Sequence, residues 1–432
     1  MNKILITIIC GYFSLNTFSQ SLYFPPVDGS SWDTMSYSRL GWCSDKIDKL
    51  YDLLESNNSK GFILLKDGKI VLEKYFGDHN EKKVWYWASA GKTLTAFMVG
   101  LAQEDGFLKL IDPSSKYMGK GWTSCTPEQE EKITVLNQLC MTSGLDDGLG
   151  DAYCTLDSCL KYKADAGTRW AYHNAPYTLL DSVLKNATKT QLNTYISQKL
   201  SRSTGITGLF LKQDFNNVFY STGRTMARFG LLCLNQGNWN GTQIMKDQDY
   251  FFKMTHTSQN INLSYGYLWW LNDAESYRLP GSQFTFRGHL IPNAPYDIYA
   301  AMGKNGQFIN VAPSKNMVWI RFGDAPDNSP VPFGLNDTIW RMINNLPCIA
   351  SGINSNSLPE IKIFQSQKDI FHIQSPITIQ KYEVFDSFGN VVQEKAIQEE
   401  RFQIQLNIPA GLYFIQCNFD NDSNKVYKIV VH

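Results

Sequence analysis

The stretch WYWASAGKTLTAFMVGLAQEDG (residues 85–106) restricts this chain more than any other. An aromatic, strand-like approach runs into a helix on which Leu94, Phe97, Met98 and Leu101 form one apolar stripe, with Gly106 as its C-cap. Ser89 and Lys92, three apart, share a face of that helix. If the first turn is buried, the ammonium form of Lys92 is disfavoured, its pKa falls, and the amine can take a proton from Ser89. Read as an ordinary helix start, Ser89 is an N-cap and Lys92 a solvated side chain. A four-residue match arises often by chance, so the pattern needs partners elsewhere.

Tyr172-His173-Asn174, in ADAGTRWAYHNAPYTLL, supplies them. The segment reads as a loop leading into a helix. A tyrosine beside a cationic lysine is stabilised as phenolate and can shuttle a proton between nucleophile and leaving group. Asn174, both donor and acceptor, can hold Lys92 and a substrate carbonyl together. The plain alternative is a core tyrosine with a turn asparagine. A third element, Ala301-Met302-Gly303-Lys304-Asn305-Gly306-Gln307, joins two strand-like runs. Acyl transfer needs two backbone N–H donors aimed at the developing oxyanion. One would come from Ser89 and the other from this glycine-containing edge, which on local sequence alone reads first as an ordinary G-x-x-G hairpin turn.

Residues 21 to about 348 resemble the serine beta-lactamase-like hydrolases: class C beta-lactamases, D-alanyl-D-alanine carboxypeptidases, related esterases and 6-aminohexanoate-dimer hydrolases. The motifs that carry the resemblance come in order: FILLKDGKIVLEKYFG, SAGK, LCMTSGLDDG, WAYHN, RTMARFGLLCLNQGNWNG, YGYLWW and GKNGQFINVAP. The resemblance implies Ser89 as acylated nucleophile, Lys92 and Tyr172 as proton-transfer partners, and Asn174 as a substrate-side amide. It puts Gly303 and Lys304 at the oxyanion, through the Lys304 N–H. Beta-lactamases of this group carry Lys-Thr-Gly on the edge strand. This chain has Ala301-Met302-Gly303 there, which favours an amidase or esterase over a beta-lactamase or carboxypeptidase. A non-catalytic surface-binding protein on the same fold is the rival outside enzymology.

Composition narrows partners and compartment. Lys plus Arg and Asp plus Glu both count 40 in 432 residues, for zero net charge, and no basic run points to nucleic acid. Residues 1–20 read as a signal peptide, with Lys3 before an apolar run too short to span a bilayer. The expected location is therefore secreted or cell surface, without a membrane span. Export permits disulfides. Cys154 with Cys159 is the best local pair, and Cys43 with Cys348 could tie the ends of the catalytic domain. Cys140 and Cys233 sit in apolar runs and read as buried thiols. No histidine or cysteine cluster has zinc-ligand spacing, and no metal or organic cofactor is implied. His173, His256 and His289 read as structural. Trp85, Trp87, Trp269 and Trp270 line an apolar cleft or belong to the core.

The fold expected is mixed α/β (α+β), with an antiparallel sheet flanked by helices. Residues 21–350 form the hydrolase domain, with an all-α subdomain at about 107–256. Asp67-Gly68 marks a hairpin. Cleft shape is expected to depend on the helical lobe and on loops near 145–165 and 272–296. Residues 351–360 (SGINSNSLPE) are a linker, and 361–432 alternate as a small β-sandwich. YEVFDSFGNVV, PAGLYFIQ and KVYKIVVH make this tail resemble the C-terminal sorting domain of the type IX secretion system. That implies the secretion machinery as a partner, alongside a small-molecule or peptide-like substrate.

Overall fold

In the computed structural model, which describes residues 22–348, 361–387, 389–419 and 424–431, the expected leader (1–20) and linker (351–360) lie outside the described residues. The chain divides into two units, Met1–Cys348 and Ile349–His432.

The first unit is built on a six-stranded antiparallel sheet. Its order is Lys69–Tyr75, Ser59–Lys66, Met317–Gly323, Gln307–Ala312, Tyr299–Gly303 and Trp270–Leu271. Asp67 and Gly68 close the first hairpin with φ of 51° and 81°, the left-handed pair that a two-residue turn between twisted strands needs. The central strand Met317–Gly323 is buried at every position because helices cover both faces. Successive side chains point to opposite faces. Val318 meets helix Gly223–Leu234 at Gly230, where a Cβ would come within 2.5 Å of its Cγ1. Trp319 meets Trp340 of helix Phe333–Asn344 edge-on, with centroids 5.7 Å apart. Helix Ser44–Ser56 lies beside Phe333–Asn344. The Cys43–Cys348 disulfide joins the two ends of the unit, and Cys154–Cys159 also forms. Cys140 and Cys233 are free and buried, and burial pushes the Cys140 thiol up to about 12.

Helix Lys92–Glu104 departs from its expected one-sided stripe. Every residue from Lys92 to Ala102 is buried, so the helix runs through the core rather than along its edge. The surrounding helical lobe includes Val135–Leu139, Asn174–Thr178 and Leu180–Thr188. It also contains a hairpin, Leu209–Gln213 with Asn216–Ser221, which pairs with Trp85–Tyr86. The sequence gives little warning of it: the turn at Asp214 has positive φ but carries no glycine.

The second unit is a curled five-stranded antiparallel sheet. Strand Ile370–Phe385 pairs with Lys362–Gln367 along its first half, with Gly411–Phe419 along its second, and with Val391–Gln405 along both. Asn424–Val431 completes the sheet. Its core is its own, built from residues such as Phe371, Ile373, Val384, Ile404, Ile415 and Ile429.

Candidate active site

Trp87 is fully buried, and its backbone N–H donates to Phe219 O (2.8 Å) while its indole Nε1 donates to Ser221 Oγ (2.7 Å). This anchor holds Ala88 at φ 47°, a left-handed conformation unusual for a residue with a Cβ. Strain of this kind collects at functional turns and persists only where the surroundings over-determine it. The chain then forms the tight turn Ala88–Gly91 and enters helix Lys92–Glu104. Ser89 therefore sits at the crest of a fixed turn, half-buried beside a cleft of about 380 Å³.

Three side chains meet there. Lys92 Nζ donates to Ser89 Oγ at 3.0 Å and to Asn174 Oδ1 at 2.9 Å. The Tyr172 hydroxyl faces the Ser89 side chain and interacts with it. The Tyr172 ring is stacked on Trp270 (5.6 Å, 18°) and edge-on to Tyr265 (6.2 Å, 84°), which fixes its direction. Lys92 Nζ also lies 4.0 Å from the centroid of the Tyr177 ring.

Burial sets the charges. It brings Lys92 down from 10.5 to about 7, against an opposing pull from Asp181, so a substantial fraction is free amine at neutral pH. Burial also raises the Tyr172 hydroxyl well above its ordinary value. Tyr172 is accordingly a neutral phenol at rest, which corrects the expected phenolate: desolvation by burial outweighs the opposing pull of the Ser89 hydroxyl. His173 is buried and held neutral, down to about 4, chiefly by desolvation. Its charged neighbours are Asp147, Arg169 and Asp146, outside the Ser89 cluster.

The strand edge closes the site from the far side. Gly303 is extended (φ −129°, ψ 166°), and a Cβ there would lie 2.8 Å from Trp87 O and 2.9 Å from both Ser89 N and Ala90 N. Only a glycine lets this strand approach the nucleophile turn so closely. The following turn is pinned by Gln307, the last residue of the 301–307 element, and by Arg321, which no sequence motif singles out. Buried Arg321 donates through Nη1 to the carbonyls of Asn305 and Gly306, and Gln307 Nε2 donates to Lys304 O (3.1 Å) and Gly323 O (2.7 Å). Asn305, at φ 62°, donates to the Tyr86 hydroxyl.

The cleft wall also differs from expectation. Gln213, Asn216, Asn217 and Val218 of the hairpin line it, together with Tyr86, Lys304 and Asn305. Tyr153 is the contribution of the 145–165 loop, and residues 272–296 contribute none. Trp87, Trp269 and Trp270 are buried in the core, and none of the four tryptophans lines the cleft. A second cavity of about 400 Å³, bounded by Phe251, Phe252, His256 and Tyr296, lies among residues unrelated to the Ser89 cluster. Among the described residues no group of three His, Cys, Asp or Glu could hold a metal, and no helix is long and apolar enough to cross a membrane.

Residues 59–322 match the model of the Beta-lactamase family, and residues 367–432 match that of the secretion system C-terminal sorting domain. No curated protein matches the chain. Among solved structures, a provisionally assigned 6-aminohexanoate-dimer hydrolase from Bacillus anthracis is 17% identical with a TM-score of 0.54, covering 74% of this chain and 89% of its own. A penicillin-binding protein homologue from Caulobacter crescentus is 11% identical (TM-score 0.53; 71% of this chain, 98% of its own). A family VIII carboxylesterase is 15% identical (TM-score 0.52; 70% of this chain, 99% of its own). At these identities the likeness is one of fold.

Proposed function

Because this chain belongs to the beta-lactamase family, and so to a family of hydrolases, we propose that it is a secreted serine hydrolase that cleaves an amide or ester bond through an acyl-Ser89 intermediate. The observation that carries the reading is the pair of bonds from one buried amine, Lys92 Nζ, to Ser89 Oγ and Asn174 Oδ1, with Tyr172 on the same hydroxyl. The C-terminal sorting domain implies secretion or a place at the cell surface.

In the proposed reaction Ser89 Oγ attacks the substrate carbonyl carbon while its proton passes to the free amine of Lys92. The carbonyl oxygen becomes an oxyanion facing the backbone N–H groups of Ser89 and Lys304. Collapse breaks the bond to the leaving amine or alcohol. Tyr172, a phenol at rest, protonates that group and is reprotonated by Lys92, so the proton taken from Ser89 ends on the leaving group. Water then attacks the acyl carbon as its proton passes to the free amine of Lys92, and collapse releases the acid while that proton returns through the Tyr172 hydroxyl to Ser89 Oγ, restoring the serine. Asn174 holds Lys92 from the other side and offers its amide N–H to the acyl chain.

The test is mass spectrometry of the full chain after exposure to a library of activated esters and short linear amides. A mass gain on the peptide containing Ser89, absent in Ser89→Ala, is expected. If no acyl donor and no serine-directed fluorophosphonate labels Ser89, the reading fails.

A further inference from the structure

The helical segment after Tyr172 carries a third polar group toward Lys92. Asn174, Tyr177 and Asp181 are spaced three and four residues apart along Asn174–Thr178 and Leu180–Thr188, which places them on one stripe. Asn174 Oδ1 accepts from Lys92, and the Tyr177 ring lies under the Lys92 ammonium. Asp181 stands one turn further along. Asp181 as a whole is half-buried, but its Oδ1 is sealed from solvent with no partner. Oδ2 accepts a hydrogen bond from Asn217 Nδ2, and Asn217 lines the cleft. A carboxylate with one orphaned oxygen beside the active site is a costly feature to retain without a counter-charge.

We propose that Asp181 is a positioning residue for hydrolysis: a buried carboxylate behind Tyr177 that is the electrostatic counterpart of Lys92 and ties Asn217 into the cleft wall. The inference rests on the Ser89–Lys92 reading above. Two charges face the pair, each other's, with Tyr177 and Tyr172 beside them as neutral phenols. Burial pushes Asp181 up to about 7, opposed by Asn217 and Lys92, and the same Coulombic link raises Lys92 against its own burial. Amine and carboxyl thus titrate over one pH range, and their apparent pKa values belong to the pair. Removing the carboxylate removes what favours the ammonium, so Lys92 loses its proton at lower pH.

The experiment uses the full chain carrying Asp181→Asn, with Asp181→Ser as a second variant should the first not fold. The pH profile of Ser89 acylation by an activated ester is followed under single-turnover conditions. The acidic limb is expected to move down by about one pH unit. A purely structural role would lower the rate or the melting midpoint and leave the limb in place, and that outcome overturns the proposal. A second readout is independent of turnover. Melting midpoints of Asp181→Asn, Lys92→Met and the double variant are compared at pH 7. Midpoint changes that fail to add support the pairing, and changes that add overturn it. An inactive wild-type chain with a coupled cycle would sink the hydrolase reading while leaving the pairing in place.

Discussion

Gly303→Ala isolates the contribution of the strand edge. Gly303 is in extended backbone (φ −129°, ψ 166°), which alanine adopts freely, so the substitution adds no backbone strain. Its whole effect comes from one methyl group placed 2.8 Å from Trp87 O and 2.9 Å from Ser89 N and Ala90 N. All three are backbone atoms, and Trp87 is held by its bonds to Phe219 and Ser221. Relief to ordinary van der Waals contact at 3.4 Å requires the strand and the nucleophile turn to part by about 0.6 Å. A misplacement of ~1 Å costs ~100-fold in rate, so Ser89 acylation should fall by ~10- to 100-fold, about 1.4–2.7 kcal/mol of barrier. The assay is the single-turnover acylation rate with an activated ester, alongside thermal unfolding. Gly334→Ala, where nothing lies within 4 Å of the added carbon, is the control and should keep both rate and midpoint. If Gly303→Ala acylates within threefold of wild type, the close approach is packing and the oxyanion argument is wrong.

Further outcomes follow from the same geometry. Ser89→Ala should abolish turnover with an unchanged circular dichroism spectrum, and Tyr172→Phe should lose ~100-fold or more in kcat/KM; normal rates in the latter would refute the proton path. Since Lys92 titrates at about 7, activity should be low where the amine is protonated and rise as pH passes through ~7; a rate independent of pH from 5.5 to 8.5 would exclude Lys92 as the base. Among the disulfides, Cys43–Cys348 spans 305 residues and Cys154–Cys159 spans 5. Chain entropy assigns them ~5–6 and ~2 kcal/mol, so Cys43→Ser should lower the melting midpoint more than Cys154→Ser, as calorimetry would record.

Much of the fold was legible because its signals are local. Asp67-Gly68 makes the predicted turn, and the strands Tyr299–Gly303 and Gln307–Ala312 are the two strand-like runs expected on either side of the glycine-containing edge. The hairpin Leu209–Ser221 was not legible, since its turn lacks glycine and its strands are held by pairing with Trp85–Tyr86. The one-sided helix was misjudged because Thr93, Thr95 and Gly100 look solvent-tolerant yet face packed neighbours.

The sequence by itself determined which groups lie together locally: Ser89 with Lys92 three residues on, Tyr172 with Asn174 two residues on, and Gly303 next to Lys304, each a matter of short spacing and backbone geometry. Tertiary structure decided their chemistry. Lys92 and Asn174 are 82 residues apart in the chain, and Gly303 touches a turn more than 200 residues before it. A pKa is set by what surrounds a group, and an orphaned carboxylate oxygen such as that of Asp181 exists only once the chain has closed around it. Spacing is written along the chain, whereas desolvation and close approach are written across it.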